Sequence, residues 1–361
     1  MKETTHRIFG LDLIRCFAII IVVRNHSSTL LAYVFPNLPH LLLPDGVDLF
    51  FVLSGFLIGS ILMQTLEDKK TINISIISSF LKRRWLRTLP NYFLFLLINV
   101  ILIHYGLIKG ELNKYILTFL VFFQNFYKPY DFLFWESWSL AIEEWFYLTF
   151  PLILFLFYTI KPYSVSLKKI LFVTILFFLL FPLIYRFFHS HTSINDIYWD
   201  LYFRKLVLTR LDCIGFGLLG AFVKQYYSSY WSKYKYHFFI VGISLLYWTL
   251  NTCTDYPHFG SFLKTIYFSI IGFSILLVFP LFESLKKEKI PLKPFAFISK
   301  ISFSMYLIHM PLLQILSNHF SHSNKIEAFF LYSIFWISLL LLSFLVYAFF
   351  EKPMMNLRKI D

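Results

Sequence analysis

Apolar stretches long enough to cross a bilayer recur along the whole chain, at 11–33, 46–66, 89–108, 139–160, 169–188, 206–225, 236–252, 262–282, 300–317 and 326–350. A spanning helix needs about 20 predominantly apolar residues. In hydrocarbon every backbone polar group must be satisfied within the segment, so such runs fold as helices. An eleventh run, "YILTFLVFFQNF" at 115–126, is too short to cross and suits a re-entrant or interfacial piece. The pattern predicts an all-α integral membrane protein, a bundle of ten transmembrane helices plus one short re-entrant or interfacial element.

Charge sets the orientation. With the N-terminus in the cytoplasm and 115–126 not crossing, Lys69, Lys70, Lys82, Arg83, Arg84 and Arg87 fall inside, as do most other loop cations. Only Lys109, Lys114, Lys128, Arg186, Arg204, Lys205 and Lys325 fall outside. Making 115–126 a full crossing would send "KPYSVSLKK" outside and invert everything after it, against the positive-inside bias. Both termini are therefore expected in the cytoplasm. No internal repeat, low-complexity linker, soluble domain or cleavable signal is evident, and 1–361 reads as a single transmembrane domain.

Composition closes off other classes. The chain is 58% hydrophobic and 15% charged, with mean hydropathy +0.66, too apolar for a domain whose whole surface is wet. Its net charge of +13 would suggest nucleic acid in a soluble protein, but here the cations sit between spans, so no nucleic-acid partner is expected. The bilayer is the expected surrounding. Cys16, Cys213 and Cys253 have neither metal-ligand spacing nor an even disulfide framework, and no metal site is expected.

Ionisable residues inside the spans are the candidate chemistry, because charge in hydrocarbon is costly. Arg15 and His26 are eleven residues apart, three helical turns plus about 20°, so they share a face roughly 16 Å apart along the axis. Arg15 could snorkel to the inner headgroups and His26 bond a neighbouring helix; the shared face favours a polar path through the bundle. Arg24 falls nearly opposite Arg15 and reads as an outer-end anchor. In "DGVDLFFVLSGFLIGSIL", Ser54 and Gly55 permit close helix approach, while Asp45 and Asp48 at the outer mouth could pair with His26 or be solvated.

Further candidates follow along the chain. "FLKRRWLRTLPNYF" puts Arg83, Arg84 and Arg87 on about one turn of a cytoplasmic element ending at Pro90. Such clusters commonly enforce topology and touch anionic lipid, yet they also suit a multiply phosphorylated ligand. In "WSLAIEEWFYLTFP", Ser139, Glu143 and Tyr147 recur at i, i+4 and i+8 as one stripe, with Glu144 turned about 100° away. "TRLDCIGFGLLG" places Arg210 and Asp212 at the outer end of a span. "ISFSMYLIHMP" sets His309 in mid-membrane, and "FEKP" puts Glu351 at the inner face.

These motifs, in this order and over nearly the whole chain, resemble the membrane-bound acyltransferase 3 family: Arg15 and His26, then "FFVLSGFLI", "RRWLR", "WSLAIEEWFYL", "TRLD" and "ISFSMYLIHMP". Each is weak alone; the ordered set is specific. By position, His26 matches the family's essential histidine and Arg15 its paired arginine. Arg83, Arg84 and Arg87 match the basic motif, and Ser139, Glu143 and Tyr147 the Ser-Leu-x-x-Glu-x-x-x-Tyr motif. Trp145 and Arg24 depart from the usual pattern at positions that bear on acceptor choice.

The resemblance implies a bacterial inner-membrane enzyme that moves an acyl group, most often acetyl, from cytoplasmic acyl-CoA to an extracytoplasmic hydroxyl. The acceptor would be a surface glycan such as lipopolysaccharide O-antigen, or alternatively a small glycoside such as a macrolide. Acetyl-CoA or another acyl-CoA enters as donor substrate, with no permanently bound cofactor. On that basis Arg15, Arg83, Arg84 and Arg87 would bind the CoA phosphates, His26 would act as general base, and Glu143 would orient the imidazole or the acceptor. Asp48, Ser54, Ser139, Tyr147, Arg210, Asp212 and His309 are further site candidates. Direct transfer is favoured over a covalent acyl-enzyme on His26 or Ser139. A transporter or flippase would also line a bundle with polar residues, but the missing repeat speaks against it.

Overall fold

The computed structural model describes residues 8–35, 43–69, 71–129, 133–162, 165–190, 199–252, 261–285, 293–320 and 324–357, and among them all regular structure is helical. The helices are α1 (Phe9–His26), α2 (Ser28–Val34), α3 (Gly46–Lys69), α4 (Ile74–His104), α5 (Ile116–Leu120), α6 (Ser137–Ile160) and α7 (Leu167–His189). After a π-helical turn at Asp200–Arg204 come α8 (Val207–Tyr226), α9 (Ser228–Lys233), α10 (Lys235–Thr252), α11 (Ser261–Glu283) and α12 (Lys293–His319). The described chain closes with α13 (Lys325–Val346), a second π-helical turn at Tyr347–Glu351 and α14 (Lys352–Asn356). Lys70 and Cys253, both used in reading the sequence, lie outside the described residues.

Among the described residues seven helices are long and apolar enough to cross a membrane: α3, α4, α6, α7, the 265–283 part of α11, α12, and α13 with its continuation to Asn356. The stretch expected as one span at 11–33 is two helices bent by 74°, which together would make an eighth. The break falls at Ser27, whose hydroxyl donates back to the carbonyl of Val23 at 2.8 Å, a competition with the helical ladder that bends helices. Two expected spans, α8 and α10, are helical but stand outside this set. α8 carries Arg210, Asp212 and Lys224, and α10 is diluted by Lys235, His237 and Asn251.

Two boundaries differ from the sequence pattern in ways that matter for the site. Pro90 does not end a separate cytoplasmic element; it lies inside the continuous α4. The helix starts early because the Asn73 side chain caps it, accepting from the Ile76 amide at 2.9 Å. An interior proline removes one donor, which packed membrane helices tolerate. Arg83, Arg84 and Arg87 thus ride on a helix that crosses. The 115–126 run forms only the single turn-and-a-half of α5, followed by turns with Phe122 in the left-handed region (φ 59°). It docks on its neighbours: Tyr92 of α4 donates to the Phe119 carbonyl and Trp145 of α6 to that of Phe122, each at 2.9 Å.

α3 and α8 form the centre of the bundle, with α7 and α11 against α8, α1 against α3, and α12 against α1. Glycine sets their closeness. A Cβ on Gly55 would stand 2.0 Å from the Ile214 carbonyl oxygen, and one on Gly217 2.1 Å from that of Val52, so only glycine lets the two backbones meet.

Buried ion pairs fasten α8 to its partners. Arg210 pairs with Asp48 of α3, and both are buried. Arg186 of α7, which the charge count assigns to an outer loop, is fully buried. Its guanidinium grips both Asp212 oxygens (3.1 and 2.7 Å), the Ser269 hydroxyl (2.7 Å) and the carbonyls of Thr265 and Thr209. Burial is tolerated because the donors are matched by acceptors from α8 and α11. The same geometry corrects the outer aspartates: Asp48 goes to Arg210, and Asp45 to Arg204 at 2.8 Å, rather than to His26.

Candidate active site

A cavity opens between five helices. Its polar lining is Arg15 from α1, Ser54 from α3, Arg84, Arg87 and Thr88 from α4, Ser139, Glu143 and Tyr147 from α6, and Ser302 and Tyr306 from α12. The α6 stripe expected from i, i+4, i+8 spacing faces this space. Arg84 and Arg87 reach it too, whereas Arg83, one position round the helix, is exposed and does not line it.

The polar side chains are linked. Ser54 donates to one Glu143 carboxylate oxygen at 2.8 Å and Tyr147 to the other at 2.7 Å. Arg84 donates to the Tyr147 hydroxyl at 3.1 Å and lies 4.7 Å from that ring's centroid. Glu143 is therefore held in one orientation by two donors, with a cation behind one of them. Glu144 turns away, as its position on the wheel requires, and accepts from Thr88 at 2.6 Å. Farther along, Tyr306 donates to the Glu136 carbonyl at 2.9 Å. With its one proton used there, the Tyr306 oxygen accepts from Ser139 at 2.7 Å.

One turn beyond Tyr306 on α12 lies His309, fully buried, and against it His26 at the exposed end of α1. The two imidazoles meet through Nδ1 of His26 and Nε2 of His309 at 2.8 Å, and Nδ1 of His309 reaches the Tyr306 carbonyl at 2.6 Å. Asp45, Asp200, Arg204 and Lys205 are the charged groups acting on His26 among the described residues. Arg204 bridges Asp45 and Asp200, and Lys205 pairs with Asp200 at 3.0 Å. Burial pushes the Asp200 carboxyl up, but Arg204 and Lys205 beside it outweigh burial and hold it below the usual carboxylate range.

The structure thus brings together Arg15, Arg84, Arg87, Ser54, Ser139, Glu143 and Tyr147 around one cavity, and His26 with His309 just past its end. Arg210, Asp212 and Asp48 are in the closed ion pairs of the core, and Arg83 is outside the cavity. Sequence reasoning missed Tyr306 and Ser302, although Ser302, Tyr306 and His309 recur at i, i+4 and i+7, a one-face helical spacing like the i, i+4, i+8 of the α6 stripe. Arg204 and Asp200 were legible only as loop charges. Among the described residues no three His, Cys, Asp or Glu side chains gather as a metal site would need.

Residues 8–350 match the acyltransferase 3 family, described as an acyltransferase domain. The chain belongs to that family. The resemblance carried by the ordered motifs is thereby borne out, and the apolar helices make this family member a multi-pass integral membrane protein. It is similar to the O-acetyltransferase OatA of Staphylococcus aureus strain NCTC 8325 / PS 47, 29% identical over 340 residues that cover 86% of this chain and 51% of the relative. It is also similar to the putative O-acetyltransferase SACOL0978 of S. aureus strain COL, 28% identical over 345 residues, 85% of this chain and 52% of that one. The chain spans about half the length of these relatives. No solved structure matches this acyltransferase 3 family member.

Proposed function

We propose that the protein transfers an acyl group, acetyl in the first instance, from cytoplasmic acyl-CoA to a hydroxyl of an extracytoplasmic glycan, and that it does so in the bacterial inner membrane. The observation that carries the proposal is the cavity lined by the cations Arg15, Arg84 and Arg87 and also by Ser139 and Tyr306, one helical turn short of the His309–His26 pair. Guanidinium groups suit the CoA phosphates through bidentate contacts. A sugar hydroxyl is a poor nucleophile and needs a base that accepts a proton near neutrality, for which imidazole is suited. Glu143, fixed by Ser54 and Tyr147, would hold the arm of the donor or the acceptor in line.

Ten crossings with both termini in the cytoplasm remain part of the proposal. The charges of α8 are paired against α3, α7 and α11 rather than turned to lipid, and α10 runs alongside α11. Labelling of single cysteines from outside should reach position 128 and spare position 69; the opposite pattern overturns the orientation. The names of the relatives support O-acetylation, and a surface polymer, lipopolysaccharide O-antigen among the options, is the proposed acceptor class. Mass spectrometry of surface glycans from cells with and without the gene tests this: loss of an acyl increment is expected, and unchanged glycans together with no thioester consumption by the purified protein overturn it.

A further inference from the structure

Two imidazoles sharing one hydrogen bond have several possible proton arrangements, and a backbone carbonyl selects among them. The ring centroids of His26 and His309 are 5.0 Å apart with planes 13° from parallel. With nitrogen atoms 2.8 Å apart, this separation is that of rings meeting edge to edge in nearly one plane, since rings lying face to face would bring the centroids closer. The bond therefore runs along a nitrogen lone pair rather than across a ring face.

The Tyr306 carbonyl can only accept, so Nδ1 of His309 carries a proton. His309 is buried within α12, and among the described residues its polar neighbours are His26 and the carbonyls of Tyr306 and Met305, with no carboxylate among them. An imidazolium there would be a buried charge without a counter-ion, which is costly; the ring is neutral. A neutral ring protonated at Nδ1 has a bare Nε2. The proton between the rings must then belong to Nδ1 of His26, which leaves Nε2 of His26 unprotonated on the exposed side.

We propose that His309 is a positioning residue that fixes His26 as the Nδ1-protonated tautomer and so presents Nε2 as the base. This rests on acyl transfer at His26. The acceptor oxygen attacks the thioester carbon while its proton passes to Nε2 of His26. The carbon–sulfur bond then breaks, its electron pair leaving with sulfur, and the proton on Nε2 passes to the thiolate to give CoA thiol. While His26 is cationic, its Nδ1–H donates to Nε2 of His309, and the charge is shared along the chain that ends on the Tyr306 carbonyl. The wheel of α12 explains why Tyr306 and His309 act together: a helical side chain leans back over the preceding turn, within reach of the carbonyls three and four residues before it.

The test combines nitrogen-15 histidine spectra of the protein in lipid with steady-state kinetics of His309→Leu and His309→Gln, each checked for thermal stability. Wild-type His26, assigned through the signal missing in His26→Asn, should be protonated at Nδ1 and bare at Nε2. In His309→Leu that preference should be lost and kcat should fall on the order of 100-fold with KM for acyl-CoA unchanged; His309→Gln, whose amide oxygen can accept from His26, should recover to within about 10-fold of wild type. A wild-type His26 protonated at Nε2 overturns the proposal, as does a stable His309→Gln as slow as a stable His309→Leu. If His309→Leu does not fold, the wild-type and His309→Gln spectra decide alone. Absence of any thioester consumption by the wild type would instead overturn acyl transfer, leaving the tautomer to be read from the spectrum.

Discussion

Two polar clusters sit in the same apolar bundle and are built from the same residue types. In one, Arg186 with Asp212 and Arg210 with Asp48 lock α7, α3 and α11 to α8, buried and away from the cavity. In the other, Arg15, Arg84, Arg87 and Glu143 line a space between helices, with Glu143 held by Ser54 and Tyr147. A closed pair in low dielectric holds helices in register, because removing either partner strands the other. A cluster lining a cavity presents its charge to that space as well as to protein. The contrast separates structural from chemical charge in a way that residue identity does not.

The largest effect should come from the end of the open cluster. His26→Ala and His26→Gln should insert and melt like wild type yet lose about 100- to 10,000-fold in acyl transfer, read as thioester consumption by purified protein. Retained turnover in His26→Gln would move the base elsewhere. In the closed cluster the loss should instead be of fold: Arg186→Met or Asp212→Leu should each destabilise by on the order of 3–5 kcal/mol, and the double variant should regain much of this. Thermal melts in detergent check it. A stable but inactive Asp212→Leu would return that aspartate to the chemistry, as the family resemblance implies.

Smaller effects sharpen the contrast within α4. Arg84→Lys and Arg87→Lys should raise KM for acyl-CoA, by about 10-fold if one bidentate contact is lost, whereas Arg83→Lys should leave it unchanged. Equal effects at all three positions would mean that the cluster acts through topology or lipid. Smallest is the pH response of the outer rim. The Asp200 carboxyl is held below its unfolded value of about 3.9, so its contribution is present above that pH and is lost as pH falls through the lower folded value. Melting temperature should decline on acidification below about pH 4, and Asp200→Asn should flatten that limb.

Much of this was legible beforehand, for physical reasons that differ by residue. Membrane helices announce themselves through length and apolarity, so α3, α6, α7 and α11 are legible to within about three residues of their ends, whereas α12 starts seven residues before its apolar run. The α6 stripe was found because period alone puts Ser139, Glu143 and Tyr147 on one face. What periodicity cannot supply is the partner on another helix. Nothing near Arg186 in sequence says that Asp212 and Ser269 await it, so it counted as a loop charge. Asp48 met Arg210 across 162 positions, and His26 met His309 across 283. Pro90 misled for the opposite reason: a local rule that holds in water yields to the demand that a helix in lipid continue.

The length of α4 has a consequence for how a highly charged donor approaches a site in oil. Its 31 residues amount to about 46 Å, well beyond the roughly 30 Å of hydrocarbon. The stretch from Arg84 to His104 alone covers about 30 Å. With His104 at one boundary, Arg84 would stand near the other, and the turns before it, whose Ile76, Ile77, Phe80 and Leu81 pack into the bundle, would lie beyond the hydrocarbon. Anions drawn to Arg84 and Arg87 would remain at the waterline, and only a slender neutral arm would have to enter the membrane beyond them. The helix works as a depth gauge, separating what stays wet from what is let in.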